Sequence, residues 1–327
     1  MLIKKILISV FTIFAAMSLT FVLVRNMPGD IIYSMALDKA STEGIPFDVA
    51  YEEIKGMYGV GADDPLYVQY FRYVANIFRG NLGDSVQYQI PVIRIMFSAL
   101  PWTLLVLSIS IVLSFVVGAI IGMLAAWKRK TLLESFVTAY ASITDATPDY
   151  LTAVILLIIF AVNLRLFPLK GAYNVDVTPG FNLKFIISVL YHAFLPIMAY
   201  TIENVGGWML MMKASATSVL GEDYITAAQM RGLRERRIAI SYLGKNAILP
   251  PFTRLAIAIG GMLGGSALIE SVFAYPGIGF FFGKAVALRD YPLMQGLFLL
   301  TTVGVIAANL LADLLYSRLD PRVKVGE

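Results

Sequence analysis

Of the chain's 327 residues, 58% are hydrophobic and 15% charged, whereas a soluble domain carries roughly 25% charged residues, so the composition is that of an integral membrane protein. With no cysteine and a single histidine, the chain lacks the residues for a disulfide framework, a thiolate metal site, a cysteine nucleophile or a zinc site. A formal charge of +4 in such a chain speaks to topology, not to nucleic acid, and what matters is where the lysines and arginines lie.

The chain opens "MLIKK" and is apolar from Ile6 to Val24, about the twenty residues that a spanning helix needs. No A-x-A site precedes "RNMPGD", which favours an uncleaved first span, 1–25, over a signal peptide. Residues 26–99 are polar, with Pro28, Gly29, Pro46, Gly56, Gly59 and Gly61 as breakers. An extramembrane segment of this length is too long to be structureless. Within it Tyr67, Tyr70, Phe71, Val74, Ile77 and Phe78 recur at helical spacing, behind Asp64 as N-cap and Pro65 at the first helical position. The pattern predicts an amphipathic helix that lies on the bilayer surface or caps the bundle.

Further apolar runs cover Thr103–Ala126, Leu132–Leu166, Leu183–Met212, Ala247–Val272 and Pro292–Tyr316, each long enough to cross a roughly 30 Å hydrocarbon core. The expectation is an all-α integral membrane protein of six transmembrane helices, its five-helix core at 100–317 and a tail at 318–327. Trp102 and Trp127 bracket the second span as interfacial anchors, and Pro148 and Pro196 are expected to kink the two longest runs. If the N-terminus is inside, the inside segments hold fourteen Lys and Arg and the outside ones eleven over more residues. The positive-inside rule then puts both termini and the loop 216–246 in the cytoplasm, in a cell (cytoplasmic or inner) membrane.

That loop contains "GEDYITAAQMRGLRERR", Gly221–Arg237. Asp223 can serve as N-cap of a short helix, along which Tyr224, Ala228 and Gly232 fall at i, i+4 and i+8. A strip with so little side chain, flanked by Arg231, Arg234, Arg236 and Arg237, suits close approach by another chain. A purely topological role would explain the arginines through lipid headgroups but leave the small residues without a purpose.

"DYITAAQMRGLRERR" followed by "NAILP" resembles the cytoplasmic coupling loop of permease subunits of binding-protein-dependent ABC importers, in the oligopeptide, dipeptide and nickel group. The matching positions are Tyr224, Ala228, Arg231, Gly232, Leu233, Asn246, Leu249 and Pro250. "FVLVRNMPGD", "DDPLYVQYFRYVANIFRGNLGDS", "SALPWTLLVL", "IESVFAYPGIG" and "NLLADLLYSRLDPRVK" are similar, in order, to further segments of that group. Together they cover nearly the whole chain. The glutamate often found at the start of the loop motif in importers generally is absent here, with Thr226 near its place.

The resemblance implies a type I ABC importer permease fold with no chemistry of its own. It implies that ATP and Mg are bound by two separate cytoplasmic ATPase subunits, one of which receives the short helix through Tyr224, Ala227, Ala228, Arg231, Gly232 and Leu233. In this picture Gly232 stands at the closest approach, with a plain helix-ending glycine as its alternative. It also implies an external gate loop at Glu270, Tyr275, Pro276, Gly277 and Gly279, an external substrate-binding protein, and a second related permease as partner in a heterodimer. The solute that the resemblance implies is a peptide or a similar small molecule.

Charges inside the apolar runs, Asp145, Asp149, Glu203, Arg254 and Asp313, should face the bundle or a wet cavity, as pathway lining or as packing pairs. Three other readings compete. "GIGFFFGKA" misses a P-loop, with three residues where four are needed between the glycines and no Ser or Thr after Lys284. "GGSA" with His192 is a weak case for an intramembrane serine protease. An ion-coupled secondary transporter or channel would suit broken helices and intramembrane carboxylates, but gives the Tyr224–Arg237 stretch no task.

Overall fold

The computed structural model describes residues 2–26, 31–58 and 64–319, and these are helical with no strand among them. Four helices are long and apolar enough to cross a membrane: α1 (Leu2–Arg25), α5 (Val92–Trp127), α8 (Leu183–Val219) and α15 (Tyr291–Leu319). A fifth crossing can be formed by α6 (Leu132–Ala146) with the stretch from Asp149 to Asn163, in which α7 (Asp149–Leu156) passes into a π-helical turn; this pair is bent by 99°. The break falls at Pro148, which has no N–H to continue the ladder. Pro196, by contrast, sits inside an unbroken α8.

The fifth expected span, Ala247–Val272, is not one helix. Short α10 (Glu235–Arg237) and α11 (Lys245–Ala247) flank a π-helical turn and lead into α12 (Leu249–Gly261), a 3-10 turn, and α13 (Ala267–Val272). Gly265 breaks the run at φ 61°, ψ −171°, a region that essentially only glycine occupies. Composition made this run look continuous, whereas its backbone starts a new helix at Leu249, just before Pro250 and Pro251, and breaks again through the 3-10 turn at Met262–Gly264 and at Gly265.

Two compact units emerge, one from 1–98 with 282–303 and the other from 99–281 with 304–327. In the first, α2 (Ile31–Glu43) and α3 (Phe47–Tyr58) form a helical hairpin closed over Ala36, Ala50 and Ile54, with Lys39 and Glu53 paired at 2.6 Å. The amphipathic helix predicted in the polar segment is α4 (Leu66–Phe78). Asp64 does not cap it; its carboxylate instead pairs with Arg72 at 2.7 Å. Buried Asp290 accepts from Ser85 Oγ and from the amides of Gln87 and, as N-cap of α15, Leu293.

The second unit is organised around α8. Gly118 and Gly122 of α5, one turn apart, meet the backbone of α8 at Val205 and Met209, and a Cβ at either position would overlap it. This is the small-xxx-small contact that lets membrane helices close together. Gly206 on another face of α8 meets Ala141 and Thr144 of α6 in the same way. Phe115 and Trp208 pack edge to face at 5.4 Å, adding shape to the α5–α8 contact.

Candidate functional site

The short helix of the basic stretch is α9 (Asp223–Met230), with Glu222 and not Asp223 at the N-cap position. It is fastened from one side. Ile225 and Ala228, three residues apart, are each 1% exposed and pack with Met212, Ala216, Ile238 and Leu243. The neighbouring α11 is itself tied to α8, where Ser215 donates to the carbonyl of Ala247 at 2.7 Å. The burial of Ala228 corrects the expected strip: its methyl points into the chain's own core and not toward a visitor. The outward face is rotated from it and carries Thr226, Ala227 and Met230, the last 85% exposed. Tyr224 stands at the edge of that face. Desolvation and the neighbouring Glu222 carboxylate raise its phenol above the usual tyrosine value.

Gly232 ends the helix. It has φ 68°, its amide bonds the carbonyl of Gln229 at 2.9 Å, and the amide of Leu233 bonds the carbonyl of Ala228 at 3.3 Å. This is the Schellman closure, with Leu233 packed back on the cluster that holds Ala228. Nothing of this chain's described residues lies within 4 Å of a Cβ built at Gly232, so what its own fold asks of this glycine is the left-handed backbone. Arg231, Arg234, Arg236 and Arg237 are exposed around this turn.

The expected gate segment is built in the opposite manner. Between α13 and α14 (Ile278–Leu288) the chain folds over the side chain of Glu270, which is 1% exposed. One carboxylate oxygen accepts from Thr103 Oγ1 of α5 at 2.8 Å, and the other from the amide of Phe280 at 2.9 Å. Thr103 Oγ1 in turn accepts from the amide of Ile278 at 2.7 Å. One buried acid thereby binds three segments, and its lone pairs meet hydrogen-bond donors, as a buried charge requires. Gly277 lies against Glu270 and Thr103, and Gly279 against the backbone of Ser266 and Ala267, so that a Cβ at either would overlap them. Tyr275 is fully buried beside Trp102, rings at 6.0 Å edge to face, and Pro276 is half-buried.

Among the described residues, the charges within the apolar runs do not form one cluster. Glu203 of α8 accepts from Thr152 of α7 at 2.9 Å, and Asp149 stands close enough for their charges to interact. Asp145 is exposed at the end of α6. Arg254 of α12 instead lies over the Trp208 ring at 5.7 Å, a cation–π contact. The side chain of Asp313 lies outside the described residues. Ser266 is the N-cap of α13, accepting from the amide of Ile269, while the Nδ1 of His192 faces the carbonyl of Ser188 on its own helix. These are structural roles. Thr103, Gly118, Gly122 and Asp290 escaped the sequence reading. Signals for the last three existed in the GxxxG spacing at 118–122 and in "DYP" at 290–292, an N-cap followed by proline in the first turn.

Comparison with known proteins agrees with this architecture. The model of the family described as "Binding-protein-dependent transport system inner membrane component" matches residues 118–325. The chain is 30% identical over 324 residues to the oligopeptide transport system permease protein AppB of Bacillus subtilis, covering 99% of this chain and 98% of that one. It is also 30% identical over 322 residues to the probable D,D-dipeptide transport system permease protein DdpB of Escherichia coli, covering 94% and 92%. The di/tripeptide transport system permease protein DppB of Pseudomonas aeruginosa is 28% identical over 326 residues, covering 96% and 95%. The chain is thus a multi-pass cell-membrane protein that belongs to the family of inner membrane components of binding-protein-dependent transport systems.

Proposed function

We propose that this permease carries peptides across the membrane as half of a translocation path, driven by two ATPase subunits that dock on α9 and alone bind ATP and Mg. The other half of the path is a second, related permease, and the solute arrives on an external binding protein. The interrupted 247–272 run serves as a sixth crossing, with both termini and α9 on the cytoplasmic side. Peptide as the solute rests on the named relatives.

The observation that carries the coupling role is the two-sidedness of α9. Ile225 and Ala228 fasten it to the second unit, while Thr226, Ala227 and Met230 face out with no cover. A helix so held can transmit a push, because an ATPase that binds it differently in two states shifts the permease between its own two states. The gate segment, tied through Glu270 to Thr103 of α5, would then follow the helices as they move.

The chain's lack of cysteine makes the test direct. With Met230→Cys as the single cysteine, crosslinking to a cysteine in a co-expressed ATPase subunit should occur in native membranes and change in yield with nucleotide. Failure to crosslink, with position 230 shown reactive to a soluble maleimide and the ATPase present, would remove α9 from the coupling path.

A further inference from the structure

We infer that α4 is seated in the lipid of the membrane leaflet at its end of the bundle, the external leaflet in the topology proposed above, and is not a surface for the binding protein. The inference rests on α1 and α15 crossing the bilayer, and its observations all lie in the first compact unit.

The first observation is depth. Tyr70 Oη hydrogen-bonds Ser18 Oγ at 2.6 Å, and the rings of Tyr70 and Tyr73 each pack on Phe21 at 5.4 Å. Phe21 and Ser18 stand three and six residues before Val24, where the apolar span of α1 ends. At 1.5 Å per residue they lie about 4 and 9 Å inside that end. Tyr73 borders a small gap together with Met17 and Thr20 of α1 and Phe298 of α15. Phe298 is seven residues into α15, about 10 Å by the same measure. Two antiparallel spans therefore assign one side of α4 a similar level, below the ends of both and within a hydrocarbon core roughly 30 Å thick.

The second observation is the arrangement of faces. Beside the stripe that packs on α1, Tyr67, Phe71, Val74 and Phe78 follow at i, i+4, i+7 and i+11, with Phe71 68% and Phe78 82% exposed. The far side carries Arg72, paired with Asp64, along with Asn76 and exposed Arg79. This is the division of an interfacial helix, apolar toward the acyl chains and charged toward headgroups and water. Leu19, Val22 and Leu23 of α1 are exposed as well. Bulky aromatics open to water over such an area would be a costly exposure, and at this depth the available cover is lipid.

The test places a nitroxide at Phe71→Cys, Phe78→Cys and, as control, Arg72→Cys, one at a time in the otherwise cysteine-free chain. Each is assembled with its partner permease and ATPases in lipid nanodiscs. Power saturation is measured against oxygen, which concentrates in lipid, and a nickel chelate, which stays in water. The expected result is an oxygen-to-nickel accessibility ratio severalfold higher at 71 and 78 than at 72, unchanged when the binding protein is added. All three positions are exposed, so the substitutions leave the core intact. Nickel accessibility at 71 equal to that at 72 would overturn the seating. So would a label at 71 shielded from both reagents, whether by the partner permease throughout or only once the binding protein is present.

Discussion

α9 and the segment around Glu270 are both short, polar-tipped pieces set among apolar helices, yet they are built to opposite plans. α9 is fixed by two side chains, Ile225 and Ala228, and leaves its remaining face open. The segment around Glu270 is tied from within: Glu270, Thr103 and the amides of Ile278 and Phe280 bond one another, glycines stand at 277 and 279 where nothing larger fits, and among the described residues the buried Tyr275 hydroxyl alone in the segment finds no partner. A piece that a partner must complete shows uncovered surface, and a piece that must hold its own shape shows buried polar groups bonded mainly to one another. The contrast predicts that changes at the gate register first as lost stability, whereas changes on the open face of α9 leave the permease folded and register in its partnership.

The largest effect is expected at Gly277. Gly277→Val drives a branched side chain into the Glu270 carboxylate and the Thr103 hydroxyl, and overpacking combined with broken hydrogen bonds should cost about 3 kcal/mol or more. Thermal inactivation of the purified permease in detergent should shift sharply downward and transport should be lost. A variant that keeps wild-type stability would mean that the segment yields easily and that the contrast with α9 is false.

Glu270→Ala comes next. It leaves the Phe280 amide and the Thr103 hydroxyl without their acceptor in a buried place, at about 1–3 kcal/mol for each orphaned group. Glu270→Gln keeps one carbonyl oxygen and should fall between Ala and wild type in the same inactivation assay. If Gln is as harmful as Ala, the negative charge matters more than the hydrogen-bond count, and the account of a self-satisfied node must change.

Much of this design was legible beforehand, and the failures have physical causes. α1, α5, α8 and α15 declare themselves because twenty consecutive apolar residues have few other fates. The run 247–272 was misread as one helix because hydropathy is blind to backbone, and Gly265 at positive φ decides the matter. On α9 the i, i+4, i+8 spacing found small residues but not which way they face. The pair Ile225 and Ala228 held that information, since an apolar i, i+3 pair in a polar helix marks the side that packs. Gly232 had two readings, and its hydrogen bonds are those of a helix end. Thr103 had no signal at all, because its partners at 270 and 278 are far away in sequence.

The rotation of α9 is sharpened by two neighbouring substitutions. Ala228→Leu adds bulk to a methyl-sized site among Met212, Ile225 and Leu243 and should destabilise by about 1–3 kcal/mol. Ala227→Leu, one residue away and exposed, should do nothing measurable to inactivation temperature. Equal effects at the two positions would return the packed side to uncertainty.

Ala227→Arg should have the smallest effect on stability of all, within about 0.5 kcal/mol, as for exposed positions generally. It nonetheless sets a long charged side chain in the middle of the open face, between Tyr224 and Met230. If that face is where an ATPase closes, the bulk blocks approach, so ATP-driven uptake and nucleotide-sensitive crosslinking from an added Met230→Cys should both disappear while the folded permease accumulates normally in the membrane. The companion Ala227→Ser, small and uncharged, should retain uptake. An Ala227→Arg permease that transports at the wild-type rate would show that the uncovered face is only a solvated one, and the coupling surface would have to be sought among the arginines that follow Gly232.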